Sequence, residues 1–147
     1  MENDEGYDSP TRLYINRPDR EKYDRLLGKD GIFAGKDNKD VFIMAMVIGY
    51  SRGVKVELTR KEGYVRFEYL KDRDKSIIKS IAVAETGTLN VLLDKRKVYS
   101  IAEEYAAGGI KLLVDMVLRG GYGSFEKKLE SELVEEFERI GEKEAYE

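Results

Sequence analysis

The residues able to carry chemistry here are carboxylates, lysines, arginines and hydroxyl groups, because the 147-residue chain contains no His, no Cys and no Trp. A Ser-His-Asp triad and a Cys nucleophile with a His base are impossible, and zinc sites built from Cys and His are excluded. What remains is Asp/Glu with Mg²⁺ or Mn²⁺, or Lys, Tyr, Ser and Thr chemistry. A carboxylate–metal nuclease needs two or more acids, often with a lysine, on neighbouring strands. Glu57 and Glu68 would face each other if the stretches around them pair, with Lys55 or Arg66 beside them. Glu103 and Glu104 sit in a long helical pattern, with Glu85 upstream. None of these spacings matches a nuclease motif, so no catalytic residue, metal ligand or cofactor is assigned.

Other residue patterns suit an anion. "KDRDKSIIK" holds Lys71, Arg73, Lys75 and Lys79, and "DKRK" holds Lys95, Arg96 and Lys97. Such side chains contact phosphates as sequence-independent charges, though interleaved acids weaken the field. Near the N-terminus, "RLYIN" alternates, with Leu13 and Ile15 on one face and Arg12, Tyr14 and Asn16 on the other. A strand followed by two helices is also the order of ribbon-helix-helix proteins, whose paired strands enter the major groove. In that arrangement Arg12, Tyr14 and Asn16 would face bases; otherwise the strand simply joins a sheet. "GGYGS" could present backbone N–H groups to an anion, but it lacks the lysine of a phosphate loop.

Charge is unevenly distributed around the net −3. Residues 1–9 carry four acids and no base; residues 10–100 carry 20 bases and 13 acids; residues 101–147 carry 6 bases and 12 acids. A mildly basic body between acidic ends fits an anionic partner, or ends that fold onto the body. The longest apolar run, Val41 to Ile48, is too short to span a bilayer, and the acidic start has no signal-peptide core. The cytoplasm is the expected compartment.

The elements that must position these residues follow from periodicity. Pro18 opens a helix with Tyr23, Leu26 and Leu27 on its apolar stripe and Gly28 at its end. "DVFIMAMVIGYSRG" is apolar almost all round, which predicts the central core helix or the heart of a dimer. "VKVEL" and "YVRFEYL" alternate across a Gly-containing link, predicting a hairpin of Val54–Leu58 with Tyr64–Leu70. A helix follows through Ile77, Ile78 and Ile81 to Gly87, then "LNVLLD", then a long helical pattern from Lys95. Ser124 would cap a final helix with Phe125, Leu129, Leu133 and Phe137 four apart. The expected fold class is α+β and mostly α-helical, with about five helices, a short N-terminal strand and a small antiparallel β-hairpin. The expected organisation is an acidic disordered head at 1–10, one globular domain at 11–121 and an acidic amphipathic helix at 122–147.

Three segments, "KDVFIMAMVIGYSRG", "SIAVAETG" and "IAEEYAAGGIKLL", in this order and at these separations, resemble a small accessory protein family of DNA phosphorothioation (Dnd) systems. The resemblance runs from Leu26 to Leu118 and leaves out the head and tail. It implies a role beside machinery that places sulfur in the DNA backbone or restricts unmodified DNA, and it carries over no catalytic residue. Sulfur insertion itself would call for cysteines and metal clusters, and the chain has no Cys. The expectation is a non-enzymatic accessory: an adaptor, a regulator or a DNA-contact subunit, dimeric, with DNA or proteins of the system as partners. A ribbon-helix-helix regulator and a carboxylate–metal nuclease are the alternatives. The resemblance includes the Gly108-Gly109 pair, which costs about 2 kcal/mol in a helix interior. Ala102, Ala106 and Gly109 share a stripe on which the Val41–Ile48 helix could cross closely, with Gly108 beside it; a break at the pair is the rival.

Overall fold

An apolar helix with no polar face must be surrounded, and the Val41–Ile48 run is. In the computed structural model, which describes residues 11–29, 31–119 and 131–141, it lies in the middle of the core. The chain order is β1 (Arg12–Asn16), a 3-10 turn (Arg17–Asp19), α1 (Arg20–Leu27), α2 (Asn38–Arg52), β2 (Lys61–Arg66), a 3-10 turn (Phe67–Tyr69), α3 (Asp72–Thr86), a 3-10 turn (Leu89–Leu93) and α4 (Lys95–Arg119). A further helix, α5, covers 131–141. The fold is α+β and mostly helical, with one small antiparallel sheet. The proposed head at 1–10, the "GGYGS" segment, and Ser124, Phe125 and Leu129 lie outside the described residues.

α2 starts where Asp37 and Asp40 form a capping box, the Asp37 N–H donating to Asp40 Oδ2 at 3.2 Å. It ends at Gly53, whose φ of +70° only glycine adopts without strain. Between these points Val41, Phe42, Ala45, Met46 and Val47 are all buried against the chain's own elements. The helix is therefore the core of the single chain. Its largest interface is with α4. Phe42 and Met46 from α2, and Ile110 and Leu113 from α4, are completely buried. Each such side chain stabilises the fold by roughly 1.5–3 kcal/mol through burial alone.

The α4 helix runs unbroken through the glycine pair. A Cβ on Gly109 would stand 1.7 Å from the Ala45 carbonyl oxygen, and one on Gly49 would stand 2.1 Å from that of Tyr105. The backbones of α2 and α4 thus touch where they cross, which only glycine permits. Gly108 faces elsewhere: a Cβ there would meet the Val54 carbonyl oxygen at 2.2 Å.

That contact corrects the strand pairing. The small antiparallel sheet is present, but Val54–Leu58 is not in it. β2 begins at Lys61 and pairs with β1, Arg12 opposite Arg66 through Asn16 opposite Lys61, with an irregularity between Leu13 and Tyr14. The alternating segment at 54–58 lies instead over the bare glycine surface of α4. There the Val56 N–H donates to the Glu104 carbonyl at 3.0 Å and the Val54 N–H to the Gly49 carbonyl at 2.9 Å. Its backbone bonds come from helices, so it needs no partner strand. The Tyr64–Leu70 stretch is likewise shorter as a strand, because it turns into a 3-10 turn at Phe67.

Candidate nucleic-acid interface and the polar clusters beside it

The strand residues Arg12, Tyr14 and Asn16 have work inside the molecule. Asn16 Oδ1 accepts the backbone N–H groups of Thr59 at 2.8 Å and Arg60 at 3.3 Å, which ties the turn before β2 to β1. The Arg12 side chain lies across Gly63, where a Cβ would meet its Cδ at 2.4 Å. The Tyr14 N–H points away from β2 and donates to Glu103 Oε2 of α4 at 2.9 Å. So β1 has a strand on one edge and a helix carboxylate on the other. A ribbon-helix-helix protein needs that second edge for a partner strand.

Among the described residues Glu103 is the carboxylate most perturbed by its surroundings. It is only 7% exposed. Burial raises its pKa to about 7, against the opposing pull of the Tyr14 N–H and the Lys61 charge. The nearby polar cluster behaves oppositely. Lys55 Nζ donates to Glu85 Oε2 at 2.7 Å, and the Tyr105 hydroxyl donates to Glu85 Oε1. The hydrogen bonds from Lys55 and then Tyr105 hold the Glu85 pKa below the ordinary carboxylate value, with Lys97 adding its charge. Burial, with Glu85 as acceptor, pushes the Tyr105 pKa up. Glu85 comes from "AETG" and Tyr105 from "AEEYAAGGI", so two of the segments that carry the resemblance meet in this cluster.

A second buried pair joins the starts of α2 and α3. Lys39 Nζ donates to Asp74 Oδ2 at 2.7 Å, and the same oxygen accepts the Lys71 N–H at 2.8 Å. Burial works against the Lys39 charge, but hydrogen bonds to Asp74 and then Asp40 outweigh it and raise its pKa. Asp74 thereby caps α3 and neutralises a lysine at once. The opposed carboxylates of the nuclease reading are not assembled: Glu57 lies in the segment over α4, and Glu68 sits in the 3-10 turn after β2.

The basic candidates sit on the surface. Lys71, Lys75 and Lys79 recur every fourth residue along α3; Lys71 and Lys79 are exposed and Lys75 is half-buried. None of the three forms an ion pair among the described residues. Arg73 turns another way and stacks 4.6 Å from the centroid of the Phe137 ring on α5. Lys95, Arg96 and Lys97 are exposed in the first turn of α4, which holds no acid. Asp94 caps that turn, accepting the Lys97 N–H at 3.1 Å. Cations there oppose the helix dipole and cost a few tenths of a kcal/mol each, roughly 0.3–1 kcal/mol at low salt.

With this geometry in place, the comparison with known protein families is decisive. The family described as DNA sulphur modification system-associated protein 4 matches residues 19–146. The chain belongs to this family. No curated protein and no solved structure matches it. The match takes in α1 to α5 but begins after β1. The residues of this sulphur modification system-associated protein that sequence reasoning missed are the buried pair Lys39–Asp74 and the strand acceptor Glu103. The buried pair left no local signal, because its members lie 35 positions apart. In the sequence Glu103 reads only as an acid weighed for a metal with Glu104 and Glu85, with nothing to mark it as an acceptor for β1. Among the described residues no helix is long and apolar enough to cross a membrane.

Proposed function

We propose that this protein is a non-enzymatic accessory of its DNA sulphur modification system and that it contacts the DNA backbone through the lysine row of α3 and the start of α4. Family membership supports the system. The row Lys71, Lys75 and Lys79, without ion pairs among the described residues, carries the contact. Three lysines on one side of a helix follow a phosphate backbone without reading bases. Lys95 and Lys97 extend the positive surface at the start of α4. The interior carboxylates have structural partners: Glu85 holds Lys55 and Tyr105, and Glu103 holds the β1 edge. That arrangement favours an accessory over a hydrolase, and the occupied edge of β1 favours it over a regulator that pairs strands across a two-fold axis.

The test is a gel-shift titration on plain and phosphorothioated duplexes at two salt concentrations. Binding should weaken with salt, by roughly 0.9 log units in affinity per log unit of salt for each phosphate contacted. Replacing Lys75→Glu together with Lys79→Glu should weaken both duplexes alike and flatten that dependence by about two contacts. Absence of binding to either duplex at low salt refutes the DNA contact and leaves a protein–protein adaptor.

A further inference from the structure

Among the described residues a groove of about 430 Å³ lies between the first turns of α2, the start of α3 and α5. Ile43, Val47 and Ile77 form its floor, and Leu133 and Phe137 form one wall. Half-buried Met44 and the 47% exposed Val134 stand at its mouth. Lys36, Lys71 and Arg73 stand on its rim. The acids beside them are already engaged. Asp74 holds Lys39 and caps α3, while Asp40 holds Lys39 at 3.2 Å and the Asp37 N–H. The trough is apolar and its unbalanced charge is positive.

The helix already lying along this trough is seated by matching chemistry. α5 places Leu133, Phe137 and Ile140 against the core. Its acids meet the body: Glu132 pairs with Arg52 at 3.3 Å and Glu136 accepts from Ser51 at 3.2 Å. An acidic helix with apolar residues four apart therefore fits this side of the molecule, and the open half of the groove repeats the same two demands.

We infer that the groove takes an acidic amphipathic helix of a partner protein, its apolar side chains filling the trough beside α5 and its carboxylates meeting Lys36, Lys71 and Arg73. This is helix-in-groove recognition, in which a few apolar anchors give affinity and the charged rim selects the partner. It shares only Lys71 with the row of the DNA contact, since Lys75 and Lys79 do not line the groove.

The experiment is fluorescence anisotropy on the full chain with two labelled synthetic helices. Both carry Leu and Phe four residues apart; one flanks them with glutamates, the other with lysines. The acidic helix should bind and the basic one should not. Met44→Glu, which puts charge in the trough, and Lys36→Glu with Arg73→Glu, which inverts the exposed rim, should each weaken binding about tenfold or more. Lys75→Glu with Lys79→Glu should leave it unchanged. No binding of the acidic helix overturns the proposal, as does equal binding of the basic helix or indifference to both groove variants. Sedimentation of the same variants separates the remaining occupant. A dimer that Met44→Glu dissolves, with no peptide binding, would assign the groove to a second copy of the chain and overturn the proposal too.

Discussion

Replacing Gly109→Ala tests the helix crossing more sharply than any other single change. In an unobstructed helix interior this substitution stabilises by about 1 kcal/mol, because alanine restricts the unfolded chain and glycine does not. Here the new Cβ would stand 1.7 Å from Ala45 O, half the 3.4 Å at which ordinary contact begins. The obstruction is main chain, so no rotamer change relieves it, and α2 and α4 must part. Overpacking in a well-filled core costs about 1–3 kcal/mol where side chains can adjust. Parting these helices also loosens the layer of Phe42, Met46, Ile110 and Leu113, all at 0% exposure. We expect a net loss of about 2–4 kcal/mol, a large share of the roughly 5–15 kcal/mol that holds a domain together. Urea unfolding followed by circular dichroism reads it directly, with Gly141→Ala as the control because nothing lies within 4 Å of its Cβ position. Gly49→Ala should cost a similar amount. The double variant should cost less than the sum, since both substitutions press on one crossing. A Gly109→Ala protein more stable than the parent by about 1 kcal/mol would refute the close approach and reduce the glycine pair to a tolerated helix defect.

Two further perturbations follow from the buried charges. Glu103 has a pKa near 7 in the folded protein and 4.5 as its ordinary value, so the native state binds the proton more tightly. Its contribution therefore favours folding at low pH, declines as pH rises above 4.5 and is fully lost above about 7. The decline amounts to about 3 kcal/mol. Glu103→Gln keeps an oxygen for the Tyr14 N–H and should flatten that part of the stability–pH curve, measured by urea unfolding from pH 4 to 8 in steps of about one unit; an unchanged slope would sink the assignment. At the other end of the core, Asp74→Ala leaves the Lys39 ammonium half-stranded, with Asp40 remaining at 3.2 Å, and the Lys71 N–H uncapped, and should cost about 2–3 kcal/mol. Pairing Lys39→Met with Asp74→Asn removes the stranded charge and keeps the cap, and should recover most of that loss in the same assay.

Periodicity made the helices legible because their apolar stripes are long. α2 and α3 end at the glycines the sequence marks, Gly53 and Gly87, and α2 begins at Asp37. The pairing of strands was not legible, and the reason is specific. "VKVEL" alternates as a strand does, with Val54, Val56 and Leu58 half-buried and Lys55 and Glu57 exposed. Alternation reports two faces, one inward and one outward, but not what lies inward. Here that is a helix surface bared by Gly108, so the segment keeps the pattern of a strand without a strand partner. β2 instead reaches back across two helices to β1, a long-range choice that local pattern does not encode. The polar interior was illegible for the same reason. Lys39 with Asp74, and Tyr14 with Glu103, are separated in the chain by 35 and 89 positions, and only the fold brings them together.

The formal charge of the body does not by itself say which cations a polyanion would meet. Several bases of residues 10–100 are held by acids of the same stretch, Arg20 by Glu62 at 2.7 Å, Lys22 by Asp19 at 3.1 Å, Lys39 by Asp74 and Lys55 by Glu85, and these pairs leave its excess of bases over acids unchanged. The acidic α5 takes up part of it, through Glu132 on Arg52. Outward and without an ion pair among the described residues stand a strip, the α3 row with Lys95 and Lys97, and a wider set across the body that includes Arg25, Lys36, Arg60 and Arg66. Salt dependence distinguishes the two. A strip of five lysines gives a slope of about −4.5 in log affinity against log salt, at roughly −0.9 per phosphate. A steeper slope would require cations beyond the strip to reach phosphates. Each exposed pair contributes at most about 1 kcal/mol to the fold, so DNA phosphates could compete for Arg20 or Arg52. The buried Lys39 could not follow, because parting it from Asp74 would strand a charge in the core. A steep slope that survives the Lys75→Glu and Lys79→Glu substitutions would therefore place the DNA contact on arginines outside the lysine row of α3, such as Arg60 and Arg66, which form no ion pair among the described residues, or Arg20 and Arg52 released from theirs.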